Sequence, residues 1–428
     1  MYEIDSKLKQ RERDGNPIMV GLIGAGQMGT EIVTQVGLMN GMEIGVVVDL
    51  TEERASTGYE YMKDNPQILT TDDQDKAEKA LKSGKKIAST NYQLATRLPQ
   101  IDVVIDATGS VEMGAITSMD AINHGKHVVM MSVECDITIG PILRKMAENA
   151  GVVYSLAAGD EPASIIELYR FAHALGFTIV SAGKGKNNPL DIYATPETVG
   201  DRAKERNMSS RMLCEFVDGS KTAIEMAAVS NATGLVPDIR GMHGAKSTVD
   251  ELKKVFIPKK DGGVLNKMGV VDYAIGVSPG VFVVFYTNND RIREGMAQRD
   301  MGKGPYYLLF RPYHLCSVEV PLTVAQTVIY GESSGHPMQK LTSECIAITK
   351  RDLKKGTVLD NIGETCYRGS IELADISRRQ NLLPLGLAKG VVLNQDVKKD
   401  KVITYDMVEL VNDTVLLNLR KIQDSLFL

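Results

Sequence analysis

The chain has no tryptophan, only six histidines and only five cysteines among its 428 residues. The cysteines (Cys135, Cys214, Cys316, Cys345 and Cys366) are odd in number and widely scattered. Without a Cys-x-x-Cys pair or a close Cys/His cluster, they argue against a zinc site and a disulfide framework, and read as reduced, mostly buried thiols. A basic surplus is missing as well. Lys and Arg number 49 against 54 Asp and Glu, a net charge of -5, so nothing is left over to neutralise a phosphate backbone and nucleic acid is set aside as a partner. No apolar run approaches the roughly 18 residues that a membrane span requires. The first segment, MYEIDSKLKQRERDGNP, is charged throughout and lacks the apolar stretch of a leader peptide. The expectation is a cytoplasmic protein with no membrane partner.

What is present is ordinary for a globular chain: 43% hydrophobic and 24% charged residues. The length exceeds one comfortable core, so two or three domains are expected. Short β-branched runs alternate with helical stretches over the first 155 residues. Ile18–Ile23, Ile44–Val48, Ile101–Ala107 and His127–Met131 read as strands, with helices at Thr30–Met39, from Glu52 and around Gly114–Asn123. The polar span 63–85 reads as an insertion carrying its own helix. From 156 to 343 the texture becomes α+β: a helix at Ala163–Leu175, a strand at Phe177–Ser181, then Phe282–Tyr286 and Tyr307–Phe310 as strands of an antiparallel sheet. From 344 to 428, short strands joined by glycine turns read as a small β-rich module.

The motif with the clearest chemistry is Gly24-Ala25-Gly26-Gln27-Met28-Gly29. It follows a predicted strand, opens a predicted helix, and is followed about 20 residues later by an acid, Asp49, at the end of the next strand. Gly24 makes the tight turn, Gly26 lets backbone approach a pyrophosphate, and Gly29 lets the helix pack close to the strand. The helix N-terminus then presents free amides and a positive dipole end to phosphate. Asp49 is placed to accept hydrogen bonds from ribose hydroxyls, and it would repel a 2′-phosphate, so NAD is favoured over NADP; Arg54 close by softens that preference. Asp106-Ala107-Thr108-Gly109 ends a further strand at the carboxyl edge of the sheet, where small residues suit close approach to ribose or nicotinamide. The first 155 residues are therefore expected to form an α/β, Rossmann-type doubly wound parallel sheet.

The segments GLIGAGQMGTEI, DVVIDATG and HVVMM resemble the nicotinamide domain of the homoserine dehydrogenases. SLAAGDEPASIIEL, SAGKGKNNPLD, EMAAVSNATGLVPDIRGMHG, GVVDYAIGVSPGVFVV, GKGPYYLLFRPYHL and EVPLTVAQTVIYG resemble a narrower group, the homoserine-dehydrogenase-like oxidoreductases with a C-terminal SAF domain. That group includes a deoxyxylulose-phosphate reductoisomerase-like enzyme. The resemblance implies a dinucleotide-binding domain at 1–155, an α+β substrate and dimerisation domain at 156–343, and a small β-clip SAF domain at 344–428, resting on KRDLKKGTVL and KKDKVIT. It implies an NAD(P)-dependent dehydrogenase or reductoisomerase acting on a small polyol, hydroxyketone or sugar phosphate, working as a homo-oligomer. Homoserine dehydrogenases carry an Asn-Lys pair after the fourth strand. Here Glu134 stands at the Lys position, which reverses the local charge and argues against homoserine. A cofactor-binding regulatory protein is the reading from another functional class.

Hydride transfer to or from a hydroxyl carbon needs a group that handles the oxygen's proton. Lys184 and Lys186, with Asn187 and Asn188, are read as standing on a glycine-rich loop after a strand, where they would bind phosphate or carboxylate or act as acid and base. Asp160 and Glu161 precede a helix that has Pro162 in its first turn. With Glu134 they offer carboxylates for a divalent metal if the chemistry is an isomerisation coupled to reduction; helix capping explains the same pair. Asn231 resembles the polar substrate loop of homoserine dehydrogenases, and His243 and His314 are further candidates.

Overall fold

A computed structural model describes residues 3–63 and 65–427. Along the chain the elements run α1 (Ile4–Arg13), β1 (Ile18–Ile23), α2 (Gln27–Val36), β2 (Met42–Val48), α3 (Glu52–Thr57), β3 (Ile68–Thr70), α4 (Gln74–Lys82), β4 (Lys86–Ser89), α5 (Gln93–Arg97), β5 (Val103–Asp106), α6 (Val111–Asn123), β6 (His127–Met130), α7 (Val133–Ala150), β7 (Tyr154–Leu156) and α8 (Glu161–Ala174). Then follow β8 (Thr178–Lys186), α9 (Gly200–Glu205), α10 (Ser210–Val217), α11 (Ser220–Thr233), β9 (Val236–Pro237), α12 (Leu252–Val255), β10 (Val270–Ile275), β11 (Val281–Tyr286), α13 (Asp290–Ala297), β12 (Tyr306–Arg311) and α14 (Val320–Tyr330). The chain closes with β13 (Ser343–Thr349), β14 (Tyr367–Leu373), α15 (Ala374–Arg379), β15 (Val392–Leu393), β16 (Val408–Glu409) and α16 (Val415–Phe427). These elements gather into two compact units. The first takes residues up to Ala163, Leu315–Gln339 and the chain from Asn418 onward; the second takes Ser164–His314 and Lys340–Leu417.

The first unit is built on a seven-stranded sheet in the order β3-β4-β2-β1-β5-β6-β7, parallel throughout. Helices between parallel strands make this a doubly wound Rossmann α/β fold. Strands β1, β2 and β5 are buried on both faces, so they read as continuous apolar runs. Their inward residues (Ile18, Val20, Leu22, Ile44, Val103 and Ile105) pack with Ile32, Val33 and Val36 of α2 and with Val320 and Val324 of α14. The helix expected in the span 63–85 is α4, and the span also joins the sheet. It supplies edge strand β3 and helix α4, because Ile68-Leu69-Thr70 pairs with β4 although only one of those three positions is even half-buried. Too little of it is apolar for the sequence to announce a strand.

Helix α7 carries Pro141, which has no N–H to give the helix ladder. Side chains of α16 bind the backbone at that point. Gln423 Oε1 accepts from the Ile142 amide at 3.2 Å, and its Nε2 donates to the Thr138 carbonyl at 3.1 Å. Arg420 donates to the same carbonyl at 3.2 Å.

The second unit centres on a mixed five-stranded sheet in the order β12-β11-β8-β10-β9. Strands β8, β10 and β9 run parallel, while β11 is antiparallel to both β8 and β12. Its core packs Val180, Val270, Ala274, Phe282 and Val284 against Leu252 and Phe256. The β-rich end of the chain pairs β13 with β14 along seven residues, from Ser343↔Leu373 to Thr349↔Tyr367. Isolated bridges such as Leu353↔Val397 and Ile348↔Val402 tie its turns together. Among the described residues, no helix is long and apolar enough to cross a membrane.

Candidate active site

In the first unit, the strand order reverses beside β1, and the loops leaving β1, β2 and β5 come together there. Gly24 sits at φ +103, and a Cβ on it would lie 2.5 Å from the Ala107 carbonyl oxygen. A Cβ on Gly29 would lie 1.9 Å from the Gly24 oxygen, so α2 reaches the loop only because that position is glycine. A Cβ on Gly26, by contrast, would meet nothing within 4 Å. This is the signature of a cradle: two glycines close the loop and the third keeps its open side low. Ala25 is buried, while Gln27 and Met28 in the first turn of α2 are exposed. The residues present fit a dinucleotide pyrophosphate at the N-terminus of α2.

Asp49, just past β2, accepts from the Ala25 amide at 2.7 Å and from the Leu50 amide at 2.7 Å, and pairs with Arg54 at 3.1 Å. It therefore holds the glycine loop and the end of β2 in one arrangement. Past β5, Ala107 donates to the Ile23 carbonyl, Thr108 Oγ1 donates to Asp106 at 2.8 Å, and the Gly109 amide donates to Ser132 Oγ at 3.1 Å. Asp106 is buried, and that burial pushes its carboxyl up to about 6 against the bonds from its neighbours. Glu134 lies half-buried in the first turn of α7. Asp160 precedes α8 and Glu161 begins it; the Cys316 thiol lies 3.7 Å from Asp160 Oδ1.

In the second unit, Lys184 and Lys186 do not stand on a loop. They belong to β8, which runs beyond the expected Phe177–Ser181 strand and includes both. The alternation Gly183-Lys184-Gly185-Lys186 is the period of a strand. A Cβ on Gly183 would lie 2.0 Å from the Asp272 oxygen, and one on Gly185 would lie 1.7 Å from the Val277 oxygen. The glycine positions thus admit backbone against one face, and both lysines share the other. Lys184 forms an ion pair with Glu225 of α11, both side chains almost fully buried. Lys186 donates to the Phe216 carbonyl at 2.5 Å. Burial, and then the charge of Lys184, lower the Lys186 ammonium to about 8, against the opposing pull of Glu225 and Asp218. An amine in that range can both hold and release a proton near neutral pH.

Other expected residues have different places. Asn187 is exposed, and Asn188 accepts from Arg206 at 2.9 Å. Asn231 is not on a loop. It is fully buried on α11, where its Oδ1 accepts from the Thr342 and Ser343 amides at 2.9 and 3.0 Å, fixing the start of β13. The His243 ring meets Asp238 at 2.7 Å, and its amide donates to Asp272 at 3.1 Å. His314 is half-buried just past β12. Glu225 and Asp218 were not anticipated. The signal for Glu225 was available: one acid inside the apolar run Ala223-Ile224-Glu225-Met226-Ala227 must find a cation once the helix is buried.

Residues 24–156 match the family model described as homoserine dehydrogenase, NAD binding domain, and residues 159–320 match that of oxidoreductase DRL, catalytic domain. No curated protein matches the chain. Among solved structures, a probable dehydrogenase from Thermotoga maritima shares 12% identity over 74% of this chain and 90% of its own, with a TM-score of 0.40. A point mutant of KijD10, a 3-ketoreductase from Actinomadura kijaniata in complex with TDP-benzene and NADP, shares 13% over 74% and 91%, with a TM-score of 0.36. Likenesses this slight add nothing to the reading of the site. With a nicotinamide-dinucleotide-binding domain at 24–156 and an oxidoreductase catalytic domain at 159–320, the chain is an NAD(P)-dependent oxidoreductase.

Proposed function

We propose that the enzyme interconverts a hydroxyl and a carbonyl on a small polyol, hydroxyketone or sugar phosphate, with Lys186 as the acid and base. The observation that carries this reading is the pair of lysines on one face of β8, one neutralised by Glu225 and the other held near 8. A bound nicotinamide supplies or removes the hydride. Lys186 gives its proton to the substrate oxygen as a carbonyl is reduced and takes it back in the reverse direction. Lys184, paired with Glu225, stands on the same strand face and opposes the charge of Lys186. Reductoisomerase activity on deoxyxylulose phosphate is the most specific form of the proposal. Asp160 and Glu161 are carboxylates of the kind that take a divalent cation holding two substrate oxygens, and among the described residues Glu134 is not gathered with them. Three-domain organisation with a SAF module, a homo-oligomer and a cytoplasmic setting complete the reading.

The test is a substrate screen that follows nicotinamide absorbance with both cofactors, with and without divalent metal, and with homoserine in the panel. Turnover of a polyol, hydroxyketone or sugar phosphate that Lys186→Met abolishes while cofactor binding survives supports the proposal. Turnover of homoserine alone, full activity in Lys186→Met, or cofactor binding without turnover on any substrate overturns it. An unchanged rate in chelator removes the metal. Asp49 supports NAD as the preferred cofactor, with Arg54 moderating the choice. Asp49→Ala, which leaves Arg54 without its carboxylate, is expected to improve the NADP-to-NAD ratio of kcat/KM by roughly tenfold, since about 1.4 kcal/mol of like-charge repulsion corresponds to that factor.

A further inference from the structure

Lys350, the residue after β13, lies outside the matched catalytic domain and is almost fully buried. Its ammonium is held by the Ala194 carbonyl at 2.8 Å, the Glu364 carbonyl at 2.7 Å and Asp218 at 2.7 Å, with the Cys214 sulfur at 3.5 Å. Asp218, between α10 and α11, is equally buried and also accepts from the Ser220 amide at 2.8 Å. Only two residues earlier, the Phe216 carbonyl receives the Lys186 ammonium. One short segment of backbone therefore carries Lys186 at Phe216 and, two residues on, the Asp218–Lys350 pair.

The groups that face Lys186 decide how firmly it holds its proton. Lys184 on its own strand opposes its charge, Glu225 on α11 and Asp218 favour it, and Tyr273 on β10 is the register partner of Lys184. Glu225 also pairs with Lys184. Asp218 by itself would sooner take up a proton than carry charge in so buried a place; burial raises it, and Lys350 is the largest influence pulling it back. The cation from the β-rich end of the chain pulls that carboxylate back towards its ionised form, and the ionised carboxylate favours a proton on Lys186.

We propose that Asp218, clamped in its charged form by Lys350, is a positioning residue for Lys186, holding the proton that Lys186 delivers and linking the C-terminal module to the reaction through one buried ion pair. This rests on the reading of Lys186 as acid and base. Loss of either partner has the same direction: Lys350→Met lets Asp218 protonate, Asp218→Asn removes its charge, and each leaves Lys186 a weaker hold on its proton.

The experiment is competitive acetylation of the full chain with acetic anhydride between pH 6 and 10.5, with Lys186 located by peptide fragmentation. Acetylation reports the unprotonated fraction of one amine and needs no substrate. The native chain is expected to show a midpoint near 8. Asp218→Asn/Lys350→Met, which leaves no unpaired buried charge, is expected to lower it by about one pH unit. Asp218→Asn alone, labelled after the folded fraction has been isolated by size-exclusion chromatography, is expected to give the same reading. An unmoved midpoint in both variants overturns the proposal, as does failure of native Lys186 to acetylate anywhere below pH 9. The upper limb of the pH profile of kcat/KM, on the substrate that the screen identifies, should move with the midpoint. Turnover surviving in Lys186→Met instead overturns the acid-base reading itself, so the two failures are told apart.

Discussion

At the scale of single residues, the three glycines of the dinucleotide loop have three different physical jobs, and substitution separates them. At Gly26 the backbone is extended, at φ -73, and an added Cβ meets nothing within 4 Å. Gly26→Ala should fold with stability within about 0.5 kcal/mol of the native chain, while a methyl on the open side of the cradle weakens dinucleotide binding by roughly tenfold or more. Gly29→Ala puts a methyl 1.9 Å from the Gly24 oxygen, so it should cost about 1–3 kcal/mol through displacement of α2 from the loop. Thermal melts beside fluorescence titration with NADH distinguish the two. Equal loss of stability in both variants would show that Gly26 serves packing and not approach. The same reasoning explains why the loop was legible in the sequence. Its spacing encodes demands that lie largely within six residues of chain, a positive φ at Gly24 and the close approach of Gly29 to the Gly24 oxygen. The surroundings of Lys186 were not legible, because Phe216 meets it from a distant part of the chain, Lys350 joins Asp218 from farther still, and nothing in their local pattern marks the meeting.

At the scale of elements, legibility followed burial and period. The strands β1, β2, β5 and β6 announced themselves as apolar runs; β3, exposed at the sheet edge, did not. Strand β8 extends past its expected end because Gly and Lys, poor strand formers on their own, are held there by pairing with β10 and β11. The alternation of residues 183–186 was the better signal, and it moves both lysines from a loop to a rigid element, where a site is held more firmly. The pairing of α16 with α7 was invisible for another reason. A helix broken by proline gives no hint of which distant side chain will serve its exposed backbone groups. Gln423 contacts both Thr138 and Ile142 at that point. Gln423→Ala should destabilise the first unit by about 1–3 kcal/mol, since it strips two buried backbone contacts at once. Hydrogen exchange at the amides of α7 checks this: faster exchange on the C-terminal side of Pro141, with β8 and β10 unchanged, is expected. Unchanged protection in α7 would mean that the backbone there is satisfied without α16.

At the scale of the whole molecule, both units bury ionisable groups beside the features that matter most, and Asp106 and Asp136 in the first tie stability to pH with the opposite sign to Lys186 in the second. In the first, burial raises Asp106 to about 6 and Asp136 to about 7. Asp136 accepts from the Tyr154 hydroxyl at 2.9 Å, which opposes that rise but does not cancel it. A carboxyl whose folded pKa lies above its unfolded value near 4 binds more proton in the folded state across that interval. Its contribution is therefore fully present below about pH 4 and is lost as pH rises towards 7. Lys186 has the other sign. Its folded value near 8 lies below the ordinary 10.5, so the unfolded chain binds more proton between those limits and the second unit gains stability as pH rises through them. Hydrogen exchange followed separately in β5 and β6 and in β8 and β10 should show protection of the first pair falling from pH 5 to 7.5, while the second pair gains protection from pH 8 to 10. Asp136→Asn keeps an oxygen for the Tyr154 hydroxyl and carries no charge. It should flatten the fall in β5 and β6 and stabilise the first unit at pH 8 by about 1–2 kcal/mol. A fall of undiminished slope in that variant would assign the pH dependence to other groups and leave Asp136 a passive acceptor.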